Sequence, residues 1–167
     1  MSSALRTLLP RSPALAVSTR PLLIPAVFRA SSLPVPRTCI RKMSDMTPVF
    51  SKDAAPPAGP YSQAIKTPSA IYCSGQIPCD ASGNLIEGTI GEKTAACINN
   101  LKAVLLAAGT SIQKVVKVNV FLTDMSLFAE MNEEYAKWFV HKPARSCVAV
   151  KQLPKGVDVE IECIALP

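Results

Sequence analysis

The longest regular pattern of hydrophobic positions lies between residues 90 and 108. Apolar and small side chains recur there at spacings of three and four, which places them on one face of an α-helix. Gly109 follows this segment, and glycine commonly ends a helix. The buried face of the helix is predicted to contain Ile90, Thr94, Cys97, Ile98, Leu101, Val104, Leu105 and Ala108.

Strand-like segments occur on both sides of this helix. Residues 61–65 and 70–74 are apolar or aromatic and are bounded by proline and glycine, which predicts a pair of strands joined by a turn. The hydrophobic pattern of residues 115–122 alternates and the segment is rich in valine, which predicts a further strand. Thr123 or Asp124 can then cap a second helix over about residues 127–139.

The last two strands are predicted over residues 146–150 and 157–166. Pro154 and Gly156 mark a turn between them, so we expect a closing hairpin. Three strand blocks separated by two helices predict an α+β layer sandwich in which both helices pack on one face of the sheet.

The other face of that sheet is predicted to be an oligomer interface. In residues 157–166, alternation gives one wholly apolar side and one side that mixes carboxylates with apolar residues. The mixed side contains Asp158, Glu160, Glu162, Ile164 and Leu166. A face that is neither fully polar nor covered by the chain's own helices suits a contact between subunits, although the pattern gives no subunit number.

Composition and charge divide the chain into a leader and one domain. The chain has 167 residues, 49% hydrophobic and 18% charged, which is enough for a leader and a single globular core. Residues 1–43 contain seven basic residues and no acidic one, whereas residues 44–167 contain eleven basic and twelve acidic residues, a formal charge of −1. The overall charge of +6 therefore belongs to the leader, and no nucleic-acid partner is expected for the domain.

The leader has the composition of a mitochondrial transit peptide, because arginines recur at intervals along it and it contains serine but no acidic residue. We expect residues 1–43 to be removed or disordered, and the protein to reach the mitochondrial matrix. A disordered basic tail is the alternative, and Met43 or Met46 could start a shorter cytosolic form. No apolar run approaches the ~20 residues of a membrane span, so no membrane partner is expected.

The sequence offers few groups for familiar chemistry. Six scattered cysteines form no C-x-x-C pair and His141 is the single histidine, so we expect free thiols, no metal and no cofactor. No glycine-rich phosphate loop and no G-x-S-x-G motif is present. The remaining candidates are polar groups beside glycine, proline or strand ends, and spacing alone does not connect them.

Those candidates stand in strings that resemble the Rid (reactive intermediate deaminase) family over approximately residues 47–166. The strings are G-P-Y at 59–61, S-G-Q-I-P at 74–78, P-A-R-S-C at 143–147, L-P-K-G at 153–156 and V-E-I-E-C-I-A at 159–165. The resemblance implies a trimer with a chorismate-mutase-like α+β fold and three clefts between subunits. The implied reaction is the cofactor-free hydrolysis of 2-iminobutanoate or 2-iminopropanoate to the 2-oxo acid and ammonia.

The resemblance also implies a physiological setting. Such imines come from pyridoxal-phosphate enzymes such as threonine dehydratase and damage other enzymes of that kind, so the implied role is detoxification. The leader is similar to that of fungal members sent to mitochondria, which are linked to isoleucine synthesis and maintenance of the mitochondrial genome.

Two site residues are assigned as catalytic through the resemblance. Arg145 matches the arginine that binds the substrate carboxylate, and a planar guanidinium can form two parallel bonds to such a group. Glu160 matches a carboxylate that holds or deprotonates the attacking water. From the residues alone, Arg145 could equally make a structural ion pair, and Glu160 or Glu162 could be a solvated strand residue.

Four further residues match substrate contacts of the family. Tyr61 and Asn132 could otherwise be a core-packing aromatic and a helix-surface amide, and Gly75 an ordinary strand breaker. Cys147 is expected to line the pocket, because imine hydrolysis needs no thiol intermediate. A non-enzymatic trimer that binds metabolites or acts like a chaperone is the alternative function, and nuclease activity is disfavoured by the near-neutral domain.

Overall fold

The computed structural model describes residues 45–167, so the predicted transit peptide and Cys39 lie outside the described residues. The described part contains six strands and two α-helices, with single 3₁₀ turns between some of them. In chain order the elements are β1 (Thr47–Val49), β2 (Ala64–Lys66), β3 (Ile71–Gln76), α1 (Ile90–Ala107), β4 (Val115–Leu122), α2 (Phe128–Trp138), β5 (Ala144–Ala149) and β6 (Val159–Ala165).

Helix α1 confirms the hydrophobic pattern that predicted it. All eight residues of the predicted face are buried. The helix begins at a capping box, in which the Thr89 side chain accepts from the Glu92 backbone N–H while the Glu92 side chain accepts from that of Thr89. After its end, Gly109 has a φ of +79°, a conformation that glycine adopts without strain. Helix α1 is therefore fixed at both ends by its own sequence.

The strand order is β1-β2-β3-β6-β4-β5, and only β4 and β5 are parallel. The predicted closing hairpin is wrong, because β6 lies between β3 and β4 and does not touch β5. Helix α2 returns the chain to the end of the sheet at which β4 begins. Strand β5 therefore starts at the same end as β4, and the two strands are parallel. The turn around Pro154 forms a 3₁₀ turn, with Lys155 at a φ of +56°, and leads into the central strand.

Both helices pack on one face of this mixed sheet, as predicted. The buried face of α1 shares one hydrophobic core with Met131 and Tyr135 of α2 and with the inward residues of the strands. On β6 the inward residues are Val159, Ile161, Cys163 and Ala165, so the predicted alternation is confirmed. We call the opposite side the open face, and it includes Tyr72, Phe121, Val148, Glu160, Glu162 and Ile164.

The predicted strand over residues 61–65 is displaced in the structure. Strand β2 begins at Ala64, and Tyr61 lies in a bend before it with 46% of its surface exposed. Strand β1 was not predicted, because three residues that include Pro48 are too short for an alternating pattern. The chain between β1 and β2 is irregular although Ala54 and Ala55 within it are buried.

The cysteines of the described residues are free, as predicted. Four of them, Cys73, Cys79, Cys97 and Cys163, are buried and pack as small apolar side chains. Neither helix of residues 45–167 is long and apolar enough to cross a lipid bilayer. Within those residues no group of three or more His, Cys, Asp or Glu side chains is placed to hold a metal ion.

Candidate active site

Arg145 lies on edge strand β5 against one face of helix α2. Its Nη1 donates a hydrogen bond of 2.6 Å to Oδ1 of Asn132. Its guanidinium carbon lies 4.6 Å from the ring centroid of Tyr135 and 5.7 Å from that of Phe128. These are cation–π distances, so two rings and one amide hold the cation in place.

No ion pair among residues 45–167 involves Arg145. The structure therefore does not support the alternative reading of this arginine as a structural ion pair within the domain. The guanidinium has five N–H donors and is half-buried, which leaves donors and positive charge for an anion. A carboxylate matches its planar geometry, because the two groups can form two parallel N–H···O bonds.

The three partners of Arg145 come from one stripe of α2. Phe128, Asn132 and Tyr135 are spaced by four and three residues, which aligns them on one side of a helix. The resemblance indicated Asn132 alone, and the two aromatic partners were not anticipated from the sequence. The i, i+4, i+7 spacing of the three residues was the signal that could have found them.

Tyr135 is buried and its hydroxyl has no hydrogen-bond partner among the described residues. Burial raises the pKa of Tyr135 to about 12, although the nearby charge of Arg145 opposes that shift. The phenol is therefore neutral at physiological pH and acts on Arg145 through the face of its ring.

Cys147 lies two residues beyond Arg145 and on the same face of β5. Burial raises the pKa of the Cys147 thiol, and the positive charge of Arg145 only partly opposes this effect. A thiol that keeps its proton is a poor nucleophile. The electrostatics therefore suit a lining role for Cys147.

A second group of predicted residues surrounds a cleft of about 340 Å³. Ala58, Tyr61, Ser74, Gly75, Pro154 and Glu160 line this cleft. The backbone of Gly75 approaches Glu160 so closely that a Cβ at position 75 would lie 2.7 Å from the Glu160 carboxyl carbon. A side chain at position 75 would therefore have to displace the Glu160 carboxyl group from its present position.

Tyr61 lines the cleft, and its hydroxyl oxygen accepts a hydrogen bond from the backbone. The backbone N–H of Ala58 donates to the Tyr61 hydroxyl oxygen at 3.0 Å. Because that oxygen already accepts a bond, the hydroxyl proton remains able to donate to a group in the cleft. Its position and exposure exclude the alternative of a core-packing strand aromatic.

Glu160 and Glu162 have different surroundings although they share the open face. Oε1 of Glu162 accepts a 2.7 Å hydrogen bond from Nδ2 of Asn119, whereas Glu160 faces the cleft. Burial raises the pKa of Glu160, and the negative charge of Glu162 adds to the increase. A carboxyl group with a raised pKa in a cleft is typical of an acid–base residue.

The Arg145 group and the Glu160 group lie on opposite faces of the sheet. Arg145 pairs with Val118, which in turn pairs with Cys163, and both partners are in the helix-covered core. Glu160 pairs with Phe121 on the open face. The structure thus brings Arg145 together with Asn132 and Cys147, and Glu160 together with Tyr61 and Gly75. Within one chain, it does not bring the two groups together.

The fold and the two groups define a class of small α+β protein with a half-buried arginine that makes no ion pair within the described residues on one face of its sheet and a cleft carboxyl on the other. The family model described as Endoribonuclease L-PSP matches residues 51–167. The chain therefore belongs to this family, which includes proteins designated Rid.

Several relatives are similar over the whole described domain. "Protein mmf1, mitochondrial" of Schizosaccharomyces pombe is 54% identical over 143 residues, which cover 83% of this chain and 87% of that protein. The crystal structure of yeast Mmf1 is 49% identical with a TM-score of 0.71, covering 72% of this chain and 98% of that one. The crystal structure of E. coli TdcF with bound serine is 36% identical with a TM-score of 0.69, covering 72% of this chain and 98% of that one.

Proposed function

We propose that this protein hydrolyses short-lived 2-imino acids, 2-iminobutanoate and 2-iminopropanoate, to 2-oxo acids and ammonia. The observation that carries the proposal is the guanidinium of Arg145, which is held by Asn132 and Tyr135 and has no carboxylate partner among the described residues. A 2-imino acid supplies that carboxylate and places its C=N carbon one bond away.

The reaction consumes one water molecule and needs no cofactor. The water oxygen bonds to C2 while the π electrons of the C=N bond move to nitrogen, which takes up a proton. The C2 hydroxyl then passes its proton to nitrogen through Glu160, the C2–N bond breaks with its electron pair going to nitrogen, and ammonia leaves while the oxygen on C2 becomes the 2-oxo group. Glu160 is suited to take the proton from water and return it to nitrogen, because its raised pKa makes it a stronger base than an ordinary glutamate.

The remaining residues of the cleft have supporting roles in this proposal. The Tyr61 hydroxyl donates a hydrogen bond to the substrate, and Gly75 lets the β3 backbone approach it. Cys147 lines the pocket beside Arg145 without forming a bond to the substrate. The bound serine in E. coli TdcF supports a small amino-acid-like ligand, because serine has a comparable size and the same carboxylate.

We further propose that the complete site forms between two copies of the chain in a homotrimer. The support is that the Arg145 and Glu160 groups lie on opposite faces of the sheet. The two groups of one chain therefore cannot both contact the same molecule of a few atoms. The open face supplies a surface for contact, since Tyr72 and Val148 are 49% and 47% exposed on it. The trimeric number follows from the family resemblance.

The proposed location is the mitochondrial matrix, with a shorter cytosolic form as a secondary product. The relative from S. pombe is named mitochondrial. The alignment with that relative covers 83% of this chain, which is more than residues 45–167 alone, so the alignment extends into the basic leader. Import would link the protein to isoleucine synthesis and to maintenance of the mitochondrial genome. A fusion of residues 1–43 to a fluorescent protein should enter mitochondria, and a cytosolic signal would reject the proposal.

The reaction is tested with the purified protein, threonine and a threonine dehydratase, with semicarbazide present to trap free imine. The protein should suppress trapping and accelerate release of 2-oxobutanoate, whereas Arg145→Ala should do neither. Lys151→Ala is the matched control, because it removes an exposed cation that follows the same strand. Equal trapping with and without the protein would favour the alternative, a non-enzymatic trimer that binds metabolites or acts as a chaperone-like regulator.

A further inference from the structure

Asn100 is a buried polar residue in the middle of α1, and its exposed fraction is 5%. Its Oδ1 accepts a 3.1 Å hydrogen bond from the backbone N–H of Ala55. Its Nδ2 donates to the carbonyl of Cys79 at 2.8 Å and to that of Ile77 at 3.4 Å. One side chain therefore connects α1 to two irregular segments that are distant in sequence.

Those two segments lead to two different parts of the lining of the Glu160 cleft, which we call its two walls. Ala55 precedes Ala58 and Tyr61 in one wall, and Ile77 follows Gly75 in the other. Near β2 the walls are already joined, because Ser74 donates from its N–H to the Gln63 carbonyl at 3.0 Å. Asn100 provides a second connection on the side where neither segment forms a strand ladder.

The connection reaches the Tyr61 hydroxyl through the backbone. Fixing the N–H of Ala55 fixes the start of a short turn in which the Ala58 N–H donates to the Tyr61 oxygen. Gln63 supports the same turn, because its Nε2 donates to the Ala55 carbonyl at 2.8 Å. Ala55 is thus held through both of its backbone polar groups, by two different buried amides.

We propose that Asn100 is a positioning residue, which sets the separation of the cleft walls and the direction in which Tyr61 donates its proton. Asn100 does not line the cleft and acts only through Ala55, Ile77 and Cys79. The catalytic part of this inference rests on the proposed imine hydrolysis. The structural part concerns the order of the 55–61 turn and is independent of any reaction.

The test compares Asn100→Asp with Asn99→Asp and Val104→Ala in the full chain. Aspartate keeps the size of asparagine and the acceptor for Ala55, but it loses both donors and directs a carboxylate at two carbonyls. Asn99 is the exposed neighbour on the same helix, which controls for the added charge. Val104 is fully buried in the core face of α1, which controls for a general loss of stability.

Two readouts separate positioning from stability. In Asn100→Asp, the amide of Ala58 should exchange its hydrogen faster than in the wild type, and kcat for imine hydrolysis should fall by about tenfold at a temperature where all variants are folded. Val104→Ala should lower Tm at least as much yet retain both kcat and protection of the Ala58 amide. Asn100→Leu, which removes all three bonds, should exceed Asn100→Asp in both effects.

Unchanged exchange at Ala58 in Asn100→Asp would overturn the inference, and so would a loss of kcat in Val104→Ala that matches its loss of Tm. If the wild type shows no imine hydrolysis, the proposed function fails on its own. The exchange measurement then still decides whether Asn100 positions the 55–61 turn.

Discussion

The backbone of Gly75 and the carboxyl group of Glu160 are so close that a Cβ does not fit between them in the present arrangement. A Cβ at position 75 would lie 2.7 Å from Cδ and 3.0 Å from Cγ of Glu160. The contact places the carboxyl group against the cleft wall, and it makes residue 75 a sensitive probe of the role of Glu160.

Gly75→Ala should lower kcat for imine hydrolysis by about 10- to 100-fold, because the added methyl group displaces the Glu160 carboxyl. The free energy of unfolding should fall by only about 1–3 kcal/mol, the usual cost of overpacking. Gly91→Ala is the control, since a Cβ there meets its nearest neighbour at 3.6 Å. Steady-state kinetics and denaturant unfolding measure both effects, and a fully active Gly75→Ala enzyme would contradict the assignment of Glu160.

Removing the aromatic ring beneath Arg145 should weaken substrate binding. Tyr135→Leu is expected to raise KM by the equivalent of about 0.5–2 kcal/mol, because it deletes the cation–π contact at 4.6 Å. Tyr135→Phe should leave KM unchanged and should not destabilise the fold, since the Tyr135 hydroxyl has no partner among the described residues. A large KM effect in the phenylalanine variant would instead show that the hydroxyl contacts the substrate or a second subunit.

The raised pKa of Glu160 predicts a conflict between stability and activity. The folded protein binds this proton more tightly than the unfolded chain, so Glu160 destabilises the fold as pH rises from the ordinary glutamate pKa of 4.5 through its raised value. Glu160→Gln should therefore raise Tm at pH 7 and abolish hydrolysis, and its Tm advantage should disappear when both states are protonated at low pH. Thermal melts of Glu160→Gln and Glu162→Gln across pH measure this change in Tm. A lower Tm for Glu160→Gln than for the wild type at pH 7 would contradict the prediction.

Mixing two inactive variants tests whether a site is shared between copies. Arg145→Ala and Glu160→Gln chains, unfolded together and refolded as a mixture, should recover about a quarter of wild-type activity if each site takes Arg145 from one copy and Glu160 from another. Each variant refolded alone should stay inactive. Absence of recovery in verified mixed oligomers would place both residues of a working site in the same chain.

The sequence predicts those parts of the fold that depend on local periodicity. The buried face of α1 and the bounds of β4 follow from side-chain spacing, because a helix or strand buries one side along its length. The position of β6 could not be predicted in this way. The turn residues Pro154 and Gly156 indicate that the chain bends, but they do not indicate which strand β6 meets after the bend.

The candidate site shows the same limit. The resemblance names Arg145 and Glu160 but does not reveal that the sheet separates them, since this depends on pairing across three strands. Asn132 was expected as a helix residue near the substrate, and its bond to Arg145 required the packing of α2 on β5. Tyr61 was expected in a strand, and its orientation depends on a turn without any regular pattern.

The position of β6 also has a consequence for the order in which the protein matures. Of the six strands, β6 is synthesised after all the others, yet it joins β3 to β4 in the middle of the sheet. Until residues 159–165 have been synthesised, the earlier strands can form their native pairs only as two separate pieces, β1-β2-β3 and β4-β5. The nascent domain therefore exposes an unpaired edge on each piece, β3 on one and β4 on the other, and both edges can pair with other chains until β6 joins them.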